Sequence, residues 1–152
     1  MVVGLISDTH GLVRPEVFAA LEGVQLILHA GDVGAGVLDE LEPIAPVRAV
    51  VGNTDDPWDP RLARSVNLEI GGVSVHVSHG HELGRPKPDA LLARYDARVV
   101  IYGHTHEALV HRQGLRLVVN PGVAGPARFR VRPSVARMMV RAGEVEVEVV
   151  WL

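Results

Sequence analysis

The chain has 152 residues, 47% of them hydrophobic, with no cysteine and a formal net charge of −3. That length buries a core as one domain, expected over residues 1–152, and the apolar content excludes a disordered chain. Without thiols there is no disulfide framework, so any metal must be held by N and O donors, and the negative balance argues against a broad nucleic-acid footprint. No run of about 18 apolar residues and no charged-then-apolar leader occurs, so no membrane span or signal peptide is expected, and the cytoplasm is the expected location. Val2–Ile6 is an apolar run ending in Ser7-Asp8-Thr9-His10-Gly11, and reads as a central strand entering a polar loop. A helix is expected from Pro15, with Val17, Phe18 and Leu21 on its apolar face and Gly23 closing it. Residues 24–29 form the second strand, ending in Ala30-Gly31-Asp32, and a second helix covers Val37–Leu41 before Pro43 and Pro46. Residues 47–51 form the third strand and run into Gly52-Asn53-Thr54-Asp55-Asp56-Pro57.

The pattern then changes from alternating strand and helix to hairpins. Val66–Ile70 and residues 73–78 flank Gly71-Gly72, and His79-Gly80-His81 follows at once. A short helix over residues 88–95 leads into a strand at 98–102, then Gly103-His104-Thr105-His106. Residues 108–111 and 115–119 read as strands, and Asn120-Pro121-Gly122 as a turn. Residues 135–140 and 145–151 pair around Ala142-Gly143, where Glu144, Glu146 and Glu148 alternate with valines. Arg137 and Arg141 are expected to pair with those glutamates across the hairpin. The whole reads as α/β with added antiparallel strands, and the C-terminal strands offer an edge to a second copy in a homo-oligomer.

Seven donors follow apolar strands: Asp8, His10, Asp32, Asn53, His79, His104 and His106. In an open α/β sheet, ligands bind beyond the carboxyl ends of the strands. The two imidazoles of His104-Thr105-His106 point the same way if the backbone there is extended. Carboxylate, imidazole and amide together suit Mn²⁺, Fe, Zn²⁺ or Ni²⁺ better than Ca²⁺, and seven ligands suit two metals that share a carboxylate.

Asp8-Thr9-His10, Gly31-Asp32, Gly52-Asn53, His79-Gly80 and Gly103-His104-Thr105-His106 resemble the five-block signature of the calcineurin-like metallophosphoesterases, in the family's order. The short length, His79-Gly80-His81 and Asn120-Pro121-Gly122 are similar to its small branch, which includes bacterial phosphodiesterases and a retromer coat subunit. The resemblance implies two facing β-sheets sandwiched by helices. It implies one metal on Asp8, His10 and His106, another on Asn53, His79 and His104, and Asp32 bridging both. Mn²⁺ is the expected ion and a small phosphate ester the expected substrate, most simply a phosphodiester, cleaved by in-line attack of a metal-activated hydroxide.

The chain departs from the family pattern at Thr54, where many members carry a His thought to protonate the leaving oxygen. His81 is the nearest substitute and joins Asp32 and Asn53 as an expected catalytic residue. Val123 stands where the small branch commonly has Ser. His29 is expected to be buried beside the ligands, His76 structural, His111 solvent-facing, Asp55 a ligand-orienting or turn-capping residue, and Asp56 turn chemistry before Pro57. Arg128 is read either as a phosphate anchor or as a surface ion-pair partner, and Trp58 and Trp151 as packing residues. Two alternatives stay open: a phosphomonoesterase or nucleotidase on the same site, and a metal-binding interaction scaffold with little turnover.

Overall fold

Strands buried on both faces explain why so many of these segments are apolar without alternation. The computed structural model describes residues 1–128 and 130–152. Strands β1 (Val2–Ile6), β2 (Leu26–His29), β3 (Val47–Val50), β4 (Leu62–Ala63), β10 (Ser134–Arg141) and β11 (Glu144–Trp151) form one sheet in the order β11-β10-β1-β2-β3-β4. Strands β5 (Val66–Ile70), β6 (Val73–Val77), β7 (Val99–Ile101), β8 (Leu109–Gln113) and β9 (Arg116–Asn120) form the other, ordered β5-β6-β7-β9-β8. Between the sheets lies a core in which Val3, Leu5 and Leu28 meet Val75, Val99 and Ile101. The alternate residues face outward: Ile6 and Ile27 pack against Val17 and Leu21 around helix α1 (Pro15–Ala20) and Val37 and Leu41 of α2 (Val37–Leu41). On the far side, Val100 and Val118 pack against Leu91 and Leu92 of α3 (Pro88–Arg94). The layers are therefore helix, sheet, sheet, helix, the sandwich the sequence led us to expect. Among the described residues no helix is long and apolar enough to cross a membrane.

β1, β2 and β3 run parallel, as do β6 and β7, so their carboxyl ends gather at one edge of the sandwich. Backbone hydrogen bonds sew that edge together: Asp8 N–H donates to Gly31 O, His10 N–H to Asp32 O and Gly103 N–H to His79 O, each at 3.0 Å.

Several sequence expectations are corrected. Phe18 is 42% exposed, because the two-turn α1 buries only Val17 and its following cap residue Leu21. Trp58 is 88% and Trp151 49% exposed, so neither packs as expected. The Arg137 guanidinium does not pair with the C-terminal glutamates. It donates to the carbonyls of Ala20 and Glu22, both at 2.9 Å, satisfying the open end of α1. His111 is half-buried, with its Nε2 lacking a partner, rather than solvent-facing. The two-residue β4, held parallel to β3, carries too little pattern to be read from sequence.

Candidate metal centre

Five of the seven donors sit in a backbone conformation that side chains with a Cβ avoid. The φ angles are 54° at Asp8, 46° at His10, 53° at Asp32, 67° at His104 and 64° at His106. Left-handed backbone costs roughly 1–2 kcal/mol per such residue, so surrounding structure must impose it. The crossing backbone bonds between loops do so, and two glycines permit their close approach. A Cβ on Gly52 would lie 2.1 Å from Asp32 Oδ1, and one on Gly103 would lie 2.0 Å from Ser7 Oγ and 2.7 Å from Asp8 Oδ2. The expectation of an extended His104-Thr105-His106 is thus corrected. Both histidines are left-handed, Thr105 N–H donates back to Gly103 O at 2.7 Å, and the two rings join different clusters.

The donor atoms form two adjacent triads, Asp8/His10/His106 and Asp32/His79/His104, each with one ligand atom per residue within 4.8 Å of the others. Asp8 is fully buried, and its Oδ2 accepts from Ser7 Oγ at 2.6 Å and from His104 N–H at 3.1 Å. Its Oδ1 has no hydrogen bond and faces Nε2 of His106 at 3.2 Å, of His79 at 3.9 Å and of His10 at 4.0 Å. Asp32 Oδ1 accepts from Thr54 N–H at 2.9 Å, while Oδ2 lies 3.3 Å from His79 Nε2 and 3.8 Å from His10 Nε2. His79 Nδ1 donates to Ala30 O at 2.7 Å, which fixes the tautomer and leaves Nε2 facing Asn53 Oδ1 at 3.0 Å and Asp32 Oδ2. A neutral ring held this way presents a lone pair to two oxygens, an arrangement that calls for a proton or a cation between them. Burial works to lower the His79 pKa, but the Asp32 hydrogen bond and the Asp8 charge overcome it and raise it. Burial pushes the Asp32 carboxyl up, yet the His79 ring and the Thr54 N–H hold it below the usual carboxylate range. His104 is shifted down, first by burial and then by the His79 ring. An orphaned buried carboxylate oxygen, converging imidazole nitrogens and no competing thiolate fit divalent cations.

His81 belongs to neither triad. It stands at their rim in a 3-10 turn (His81–Leu83), its ring centroid 5.3 Å from that of His79 and 6.2 Å from that of His104, with Nδ1 3.7 Å from Glu82 Oε2. His29 is buried as expected. Gly31 N–H donates to its Nδ1 at 3.1 Å, so Nε2–H donates to Thr9 Oγ1 at 2.9 Å, and that hydroxyl donates to Val33 O at 2.6 Å. Asp55 accepts from the backbone N–H of Val33 and of Gly52, each at 2.9 Å, clamping the Asp32 loop to the Asn53 loop. Asp56 accepts from Trp58 N–H at 3.0 Å, the turn chemistry expected of it. Arg128 is exposed and Val123 fully buried. Asn120, read from sequence as a turn residue and as part of the small-branch Asn120-Pro121-Gly122, donates through Nδ2 to Gly103 O and Thr105 Oγ1, both at 3.0 Å, and so steadies the His104/His106 loop. Its signal was an Asn at a strand end, the same signal that marks Asn53.

A helix–sheet–sheet–helix sandwich whose strand ends converge on paired N/O donor triads defines a metal-binding α/β domain. Residues 1–143 match the calcineurin-like phosphoesterase superfamily domain. The chain belongs to this superfamily, a family of hydrolases that bind divalent metals. It is 36% identical over 161 residues to a probable metallophosphoesterase of Methanothermobacter thermautotrophicus, covering 99% of this chain and 92% of that one. It is 31% identical over 141 residues to a phosphodiesterase of Methanocaldococcus jannaschii, covering 80% of this chain and 83% of the relative. Among solved structures it resembles wild-type Vps29 of Entamoeba histolytica complexed with zinc, with TM-score 0.81, 23% identity and 99% of each chain covered, a likeness of fold.

Proposed function

We propose that this chain is a phosphodiesterase working with two divalent ions, manganese foremost, at the seam between the sheets. In this reading Asp8, His10 and His106 hold one ion, Asn53, His79 and His104 the other, and the Asp32 carboxylate is shared. The observation that carries it is Asp8 Oδ1, buried, without a hydrogen bond and ringed by three imidazole nitrogens within 4.0 Å. Leaving such an oxygen unsatisfied costs about 1–3 kcal/mol or more, a cost that a cation removes. Bound ions would acidify an attacking water and offset charge on the phosphoryl oxygens.

The chain's own residues do the remaining work. Asp32 stays ionised and so remains a ligand into the acidic range. The Ala30 carbonyl orients His79, and Asp8 is aimed by Ser7 and the His104 N–H. Thr54, in the position after Asn53, offers its backbone N–H to Asp32, so the proton for the leaving oxygen is assigned to His81, with Glu82 beside its ring. A diester is favoured by the phosphodiesterase relative and by a groove of about 650 Å³ next to Asn53 and His81, with room for a second ester arm. Donors limited to nitrogen and oxygen accept manganese, as they do iron, zinc and nickel, so a metal competition series is the check on the ion. The same reading carries a cytoplasmic location, to be checked by fractionation.

The test is hydrolysis of bis-p-nitrophenyl phosphate and p-nitrophenyl phosphate with Mn²⁺, after chelation, and after Mn²⁺ is restored. We expect the diester to turn over faster, activity to vanish on chelation, and manganese to return it. Turnover of the monoester alone would point to a phosphomonoesterase, and turnover of neither to a binding scaffold.

A further inference from the structure

The groove beside the donors has a feature that holding metal does not explain. It is lined at one end by Asn53 and His81 and elsewhere by His76 and Tyr95, with the exposed Arg64 and Arg94 adding positive charge. His76, on β6, is only 5% exposed. Its Nδ1 lies 2.7 Å from Asn67 Oδ1, an oxygen that only accepts, so Nδ1 carries the ring proton. The ring is stacked on Tyr95 at 3.8 Å between centroids and 21° between planes. Its Nε2 is therefore a bare acceptor, buried and without a partner. Burial lowers the His76 pKa and keeps the ring neutral.

The wall that carries this acceptor is fixed relative to the donors. Tyr95 Oη donates to Glu82 Oε1 at 2.9 Å, and Glu82 Oε2 accepts from Gly80 N–H at 3.1 Å, beside His79 and His81. A buried acceptor left bare is costly, and one lining an open groove is satisfied when a ligand brings the donor. Asn67, which holds the other nitrogen, lines the neighbouring cavity but not this groove, whereas His76 lines both.

We propose that the groove seats the second ester arm of a phosphodiester, and that His76 selects arms carrying an O–H or N–H donor, such as a nucleoside, over plain aryl or alkyl arms. The inference rests on the phosphodiesterase reading and gives it a substrate class. His76 is a specificity residue here and touches no reacting atom.

Thymidine 5′-p-nitrophenyl phosphate and bis-p-nitrophenyl phosphate share a leaving group and differ in the retained arm. The wild-type protein is expected to favour the thymidine ester in kcat/KM. His76→Phe keeps the stacked ring and frees only the exposed Asn67, so it should lower kcat/KM for the thymidine ester about tenfold, mainly through KM, with the bis ester within about twofold. His76→Gln, whose Oε1 can replace the Nε2 acceptor, should restore the preference. In parallel, calorimetry on Mn²⁺-loaded protein should show thymidine 5′-phosphate binding tighter than inorganic phosphate, an advantage that His76→Phe erases. Equal changes for both esters, or none, would overturn the subsite. A protein that hydrolyses no diester yet binds thymidine 5′-phosphate through His76 would instead overturn the phosphodiesterase reading and keep the subsite.

Discussion

The two triads are built to different standards of rigidity. In Asp32/His79/His104, the His79 side chain is fully buried and its Nδ1 is anchored on Ala30 O at 2.7 Å, while Asp32 is pinned by the Thr54 N–H. In Asp8/His10/His106 only the carboxylate is buried; the His10 and His106 side chains are 30% and 28% exposed. Among the described residues nothing hydrogen-bonds the outer nitrogens of those two rings. A ligand held by a second layer of hydrogen bonds loses less freedom on binding metal. Two of three donors are thus anchored in the first triad, His104 being the exception, against Asp8 alone in the second, and on the proposed reading the second triad gives up its ion first.

Asp32→Ala removes the carboxylate that touches both triads. Its Oδ2 lies within 3.8 Å of imidazoles from both triads, so both ions should be lost and diester turnover should fall about 10³-fold or more. Metal content per chain and turnover check this, and retention of two ions would remove the shared role. With His106→Ala one ion should leave and one stay, read by the same metal count. Loss of both ions in that variant would mean the triads are not separable.

A pH titration of stability probes the second layer. Burial lowers the His29 pKa from 6.5 to about 4. Above the unfolded value neither state is protonated and there is no penalty. As pH falls below 6.5 the unfolded chain takes up a proton that the native ring refuses, so stability declines until the native ring protonates near pH 4. The loss should be about 3 kcal/mol across that window, and His29→Gln should flatten it, as denaturant curves at several pH values would show. Identical pH profiles for the two proteins would contradict a neutral buried His29. The smallest effect is expected of Asp55→Ala, which releases the clamp between the Asp32 and Asn53 loops. A cost of about 2 kcal/mol, with weaker metal retention, would show in the same unfolding and metal assays.

Most of the sandwich was legible because strands buried on both faces leave continuous apolar runs, and the donors stand where those runs stop. The candidate donors were picked out by ordered blocks rather than by geometry. What escaped were features fixed by distant backbone. The left-handed φ at Asp8, His10 and Asp32 is held by loop-to-loop hydrogen bonds that no local pattern records, and His104 and His106 share that conformation. The clamp by Asp55 and the support from Asn120 each join segments 15 or more residues apart. Phe18 and Trp58 were misplaced because apolar character alone says nothing about which face a short helix or loop turns to water.

The central claim is a two-ion centre, and the most direct measurement is the number of Mn²⁺ ions bound per chain, titrated by calorimetry and confirmed by elemental analysis. Two ions are expected, the weaker one removed first by a competing chelator. One ion per chain at saturation, or none, would contradict it.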